Sequence, residues 1–251
     1  MGLKDRLANG EMLWGSFLKT PSSILVEVLA HAGLELLCFD AEHAPFDRAA
    51  IDLCVMAARA NGLPIVVRTL SASPEHILNA MDCGADGVLL PHICSAEEAR
   101  ASVAAAQYGR GGRGYAGSSR AAAYGLTPIP RHLAMSAERT LVIAQIEDIE
   151  AVEAINEIAA VSGLDALFVG RIDLTIALGE TDPDASSVLT AVGRILGKGQ
   201  RAKVPVGMFV PRDVDVAYWR AKGAQLFLQG SDHSFLRAGA KAARAAAGLE
   251  N

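Results

Sequence analysis

Cysteine is scarce in this chain, and its spacing excludes two kinds of chemistry. Cys38, Cys54, Cys83 and Cys94 are the only four among 251 residues, and no two have the C-x-x-C spacing of a structural zinc site or a redox disulfide. Each lies in an apolar stretch, which predicts buried free thiols in a reducing compartment. Charge is also sparse, at 20% of residues with a net charge of −5. No basic stripe or block of like charge is present, so a nucleic-acid partner or a charged tail is not expected. No apolar run is long enough to span a membrane. The N-terminal MGLKDRLANGEM lacks the apolar region of a secretory signal, and Arg6 stands where a myristoylation signal needs Ser or Thr. These absences predict a cytoplasmic protein. What the chain does hold is 51% apolar residues, ample for one large core over residues 1–251.

Short apolar runs alternate with longer amphipathic segments. The runs occupy 12–18, 34–40, 64–70, 86–93, 141–147, 166–174, 205–210 and 224–230. They are apolar on both faces and bounded by Gly, Asp or Pro, as strands of a covered parallel sheet are. Helix signals lie between them. Ser22 or Ser23 can cap SILVEVLAHAG, and Asp47 can cap RAAIDLCVMAARANG. Ser73 precedes Pro74, and Ser95 with Glu98 forms a capping box. Eight strands alternating with helices and no break in composition predict a closed (β/α)8 TIM barrel in one domain, with a doubly wound open sheet as the alternative. One long irregular stretch, 110–130, is expected to be functional because compact domains rarely keep such loops. Its RGGRGYAG is not fed by a strand, so it does not read as a nucleotide-binding loop.

Charges fall where strands end. Asp40, Glu42 and His43 follow the second run, and Arg68 ends the third. Gln145 and Glu147 end the fifth, and Arg171 and Asp173 lie late in the sixth. Unpaired charge is costly to bury, and parallel barrels carry their active sites at the C-terminal ends of the strands. Each residue also has a plainer explanation. Glu147 or Asp173 can cap a helix, Arg68 can pair with Asp40, and a single histidine is more often structural. Together they describe a site. Two carboxylates without a Cys or His cluster suit a hard ion such as Mg²⁺, Mn²⁺ or Co²⁺. Such an ion can chelate a 2-oxo acid and favour the enolate formed when the neighbouring C–C bond breaks. An arginine adds fixed positive charge, and a histidine oriented by an aspartate moves protons near neutral pH.

At FDAEHAP (39–45), VVR (66–68), LLPHICSAEEAR (89–100), AQIED (144–148) and LFVGRIDL (167–174) the chain resembles the HpcH/HpaI aldolase/citrate lyase family, specifically its short pyruvate aldolases. The resemblance implies a barrel of the phosphoenolpyruvate/pyruvate-domain type. It implies Glu147 and Asp173 as metal ligands, His43 with Asp40 as the proton-handling dyad, and Arg68 as the group that holds the pyruvyl oxygen. Gln145 looks like a polar contact to the substrate, and Gly170 with the backbone near Asp173 looks like the cradle for the pyruvate carboxylate. The resemblance also implies a homo-oligomer, a hexamer or trimer, with the Ala-rich C-terminal segment exchanged between barrels or packed on its own. Two departures stand out. Many relatives carry proline where Arg171 stands, and methionine or another apolar residue where His92 stands. Both residues are expected to contact the far end of the substrate, together with the 110–130 loop, which keeps Arg113 and Arg120.

The activity so implied is cleavage or formation of 4-hydroxy-2-oxo acids, to or from pyruvate and an aldehyde. An acyl-CoA lyase of the citrate lyase β or malyl-CoA lyase type is one alternative, although its extra N- and C-terminal elements are not found. A non-catalytic 2-oxo-acid-binding barrel is another. A Schiff-base aldolase would need a lysine deep in a strand, and none of Lys4, Lys19, Lys198, Lys203, Lys222 and Lys241 lies in a strand core.

Overall fold

The apolar runs become eight parallel strands: β1 Leu13–Leu18, β2 Leu36–Asp40, β3 Ile65–Arg68, β4 Gly87–Leu90, β5 Leu141–Ile146, β6 Ala166–Val169, β7 Val206–Val210 and β8 Leu226–Ser231. Each pairs with the next, and β8 closes on β1. The structure, a computed structural model, describes residues 1–249; Glu250 and Asn251 lie outside the described residues. The strands are shorter than several of the runs, and the sixth run differs most from expectation. Its strand ends at Val169, and Arg171–Ala177 is a helix with Gly170 at its N-cap position. Ile172, exposed, and Leu174, buried, carry the apolar pattern past the strand end into that helix.

Helix starts follow the local signals. Ser22, Asp47, Ser73 and Ser95 each accept a hydrogen bond from the backbone N–H three residues on, and Ser95 and Glu98 complete a capping box. An alternation of two residues divides each strand between two cores. One face packs against the surrounding helices. The other fills the barrel with Leu13, Phe17, Leu36, Cys38, Val66, Leu89, Ile143 and Phe168. Gly15 belongs to this crowded interior, since a Cβ there would meet Leu36 Cγ at 2.8 Å. The N-terminal helix Leu3–Ala8 sends Leu3 and Leu7 into the same cluster.

The interior parity decides the site. The alternation that buries Leu36 and Cys38 inside the barrel carries Asp40 inward at the end of β2. It does the same for Arg68 after Val66, and for Gln145 after Leu141 and Ile143. The C-terminal helix Asp232–Ala246 touches β8 and β1. From Leu236 onward its described residues are exposed, so only its start packs on its own barrel. All four cysteines are free; three are buried, and Cys94 is half-buried. Among the described residues, no helix is long and apolar enough to cross a membrane.

Candidate active site

Register brings the first charges together. Asp40 and Arg68 are direct partners across β2 and β3. Arg68 donates from Nε and Nη2 to Asp40 Oδ1 at 3.0 and 2.8 Å, and its Nη1 lies 3.2 Å from Glu42 Oε2. The guanidinium stacks 4.7 Å from the Phe17 ring centroid. Lys19, one residue past β1, places Nζ 3.0 Å from Asp40 Oδ2. Burial works to raise the Asp40 pKa, but Arg68, the His43 backbone N–H and Lys19 outweigh it and hold the carboxyl below its ordinary range. Apolar side chains would fill the same volume without desolvating Asp40, Arg68 and Glu42, so stability alone is a weak reason for this cluster.

A second cluster forms at the ends of β4 and β5. Glu147 follows β5 by one residue and is 2% exposed, and it does not cap the next helix, whose N-cap position is Asp148. Its Oε1 accepts from the His92 backbone N–H at 3.0 Å, and its Oε2 accepts from Gln145 Nε2. Gln145 Oε1 is buried with no hydrogen-bond partner among the described residues. Burial, reinforced by the Asp173 charge, pushes the Glu147 pKa up despite the bonds from Gln145 and His92. Glu42 is likewise raised by burial, against the pull of Arg68, His43 and His92. His92 lies just past β4 with φ +54°. Its Nδ1 is 3.0 Å from Asp148 Oδ2, which raises its pKa.

Among the described residues, Glu42, His92 and Glu147 each offer a donor atom within 4.8 Å of the others. Burial penalises the charge on both carboxylates; Glu42 has Arg68 beside it, but among the described residues Glu147 pairs with no lysine or arginine, and a divalent ion would supply that positive charge. The oxygen-rich donors suit Mg²⁺, Mn²⁺ or Co²⁺, so these residues fit such an ion. Asp173 is outside that trio, but its charge acts on Glu147, and it lines a cavity together with Arg68 and Gln145.

The cavity, about 240 Å³, opens at the C-terminal ends of the strands. Phe17, Phe168 and Phe209 supply its apolar wall, and Lys19, His43, Arg68, Gln145, Gly170 and Asp173 its polar one. Gly170 has no room for a side chain: a Cβ would meet Glu147 Cβ at 2.7 Å and Gln145 Nε2 at 3.2 Å. Gly170→Ala should therefore cost about 1–3 kcal/mol in urea unfolding. An unchanged midpoint would show that Glu147 has room to move.

Four sequence expectations meet a different geometry. The Asp40 carboxylate bonds the His43 backbone N–H at 3.1 Å, not its ring, whose Nε2 sits 3.7 Å from Glu42 Oε2. Arg171 touches the cavity but is buried. It pairs with Asp184 at 3.1 Å, approaches Asp215 at 3.9 Å and lies 5.6 Å from the Trp219 ring centroid, so its charge is already shared with two carboxylates. His92 does not line the cavity and belongs to the carboxylate cluster. The 110–130 stretch is also displaced from the site. It leaves the helix Ala96–Ala106 and leads through the helix Ile129–Arg139 into the N-terminal end of β5. Arg120 binds Asp52 at 3.0 and 2.7 Å, and Arg113 stacks 4.0 Å from the Tyr108 ring centroid.

Glu42, Lys19 and Asp148 take part without a role having been read from the sequence. Glu42 was visible as a strand-end charge. Lys19 obeys the same strand-end rule, one residue past β1. Asp148 holds an N-cap position but makes no side-chain cap bond, because its carboxylate turns to His92 and Cys94.

The family profile described as HpcH/HpaI aldolase/citrate lyase matches residues 13–238. A hydroxypyruvate/pyruvate aldolase of Paraburkholderia phytofirmans is 36% identical, over 86% of this chain and 84% of its own. A 5-keto-4-deoxy-D-glucarate aldolase of Salmonella arizonae is 32% identical, over 94% of this chain and 92% of its own. The crystal structure of an HpcH/HpaI aldolase/citrate lyase family protein from Burkholderia cenocepacia superposes with a TM-score of 0.92. It is 35% identical and covers 97% of this chain and 98% of that one.

Proposed function

The chain belongs to the HpcH/HpaI aldolase/citrate lyase family and is a carbon–carbon lyase of the aldolase type, and from that premise we propose a divalent-metal-dependent class II pyruvate aldolase. Its substrates on this reading are 4-hydroxy-2-oxo acids, cleaved to or formed from pyruvate and an aldehyde. The observation that carries the reading is the buried Arg68, which lines a cavity of small-molecule size and pairs with Glu42 of the Glu42–His92–Glu147 cluster.

Glu147 and Asp173, with Glu42 alongside, would hold the ion. When bound, it supplies Lewis-acid polarisation of a 2-oxo group. The chain's own residues account for the rest. Arg68, fixed by Asp40 and Glu42, keeps further N–H groups to donate to the 2-oxo oxygen as it gains charge. Gln145 Oε1 is an unpaired acceptor for a substrate hydroxyl. The first residues of the Arg171–Ala177 helix, after Gly170, border the cavity where a substrate carboxylate can meet backbone N–H groups. His43, exposed on the cavity wall, takes the proton from the 4-hydroxyl oxygen during cleavage. The three phenylalanines limit water around the reacting carbons.

The test is pyruvate release from a panel of 4-hydroxy-2-oxo acids, with Mg²⁺, Mn²⁺ or Co²⁺ supplied. Hydroxypyruvate replaces pyruvate in the condensation direction, since the Paraburkholderia relative carries it in its name. Cleavage of at least one panel member is expected. Thioester cleavage in its place would identify an acyl-CoA lyase, and pyruvate binding without any turnover would identify a binding barrel.

A further inference from the structure

His92 is held in an unfavourable backbone conformation, and what that conformation achieves is specific. A non-glycine residue at φ +54° costs on the order of 1 kcal/mol. The turn aims the backbone N–H at Glu147 Oε1 and sets the ring between three carboxylates. Nδ1 lies 3.0 Å from Asp148 Oδ2 and 3.5 Å from Glu147 Oε1, whereas Nε2 lies 3.7 Å from Glu42 Oε1. A carboxylate that accepts from Nδ1–H leaves the lone pair on Nε2. This carboxylate–histidine arrangement is the one that orients an imidazole toward a metal ion. Asp148 gives up its helix-capping bond to provide it.

We propose that His92 contributes Nε2 as a nitrogen donor to the divalent-ion site proposed at Glu147 and Asp173, from the side where Glu42 lies. This rests on the reading that the rim holds such an ion, and it adds a ligand type. Imidazole suits Co²⁺, Ni²⁺ and Zn²⁺, whereas Mg²⁺ prefers oxygen. The site therefore favours the first group over Mg²⁺ by more than its carboxylates alone would. The competing role for His92 is a resident positive charge between the carboxylates. In that case its removal would leave ion affinity unchanged or improved.

Calorimetry on the full chain with Co²⁺ and with Mg²⁺ separates these roles, using wild type, His92→Met and His92→Asn. Asparagine tolerates the left-handed backbone, so it guards against a folding defect in the methionine variant. Both variants should weaken Co²⁺ binding by about tenfold or more, with Mg²⁺ affinity changed by less than about threefold. Pulsed electron paramagnetic resonance of the wild-type Mn²⁺ protein should show coupling to a histidine nitrogen that both variants lose. Equal changes for both ions, tighter binding in the variants, or no histidine-nitrogen coupling in wild type would each overturn the assignment while leaving the ion site in place. If wild type binds neither ion, the metal reading itself fails, and His92's part in it fails too.

Discussion

Arg68→Ala should lower kcat for pyruvate release by about a thousandfold, the cost typical of removing a fixed donor from a developing oxyanion. The guanidinium is 7% exposed and borders the cavity, so neither water nor Lys19, already paired with Asp40, replaces it. Two effects must be kept apart in the measurement. Removing Arg68 also takes the arginine from Glu42 and leaves Asp40 with Lys19 alone, and an uncompensated buried charge costs about 3–5 kcal/mol of stability. Arg68→Lys keeps a charge but loses the planar fork that spans two carboxylates. It should stay better folded than the alanine variant and still lose most of the rate. A folded Arg68→Ala enzyme with wild-type kcat would remove Arg68 from the chemistry and leave only the ion pair with Asp40.

Glu147→Gln should weaken divalent-ion binding by about a hundredfold, close to 2.7 kcal/mol, and lower activity at limiting metal to match. The substitution keeps shape and removes a charge that burial already disfavours, so the metal-free variant should be at least as stable as wild type. Calorimetry with Mn²⁺ and urea unfolding test the two halves separately. Unchanged Mn²⁺ affinity would exclude Glu147 as a ligand. A marked loss of metal-free stability would mean that its bonds to His92 and Gln145 are structural.

Much of the site was legible because strand ends in a parallel barrel are recognisable. Asp40, Arg68, Gln145 and Glu147 all lie within or one residue past strands that read as apolar runs. Lys19 is placed by the same rule after β1. Arg171 shows where the rule stops. It sits near a strand end beside the cavity, yet its partners are Asp184 and Asp215, which only the closed ring of helices brings to it. The 110–130 stretch is a similar case. Its length marks it as unusual, but its place between a helix and the start of β5 takes it to the other end of the barrel.

By itself the sequence determined the eight strands, the helix starts at Ser22, Asp47, Ser73 and Ser95, and the inward-facing row at the strand ends. Those features depend on alternation within a strand and on hydrogen bonds that close over three residues. The tertiary structure decided which charges share a partner. Arg68 reaches Asp40 across 28 residues, and His92 reaches Glu147 across 55, so both contacts depend on barrel closure and register. It also decided that His92 turns away from the cavity toward Glu42 and Glu147, through a left-handed backbone that no residue pattern announced.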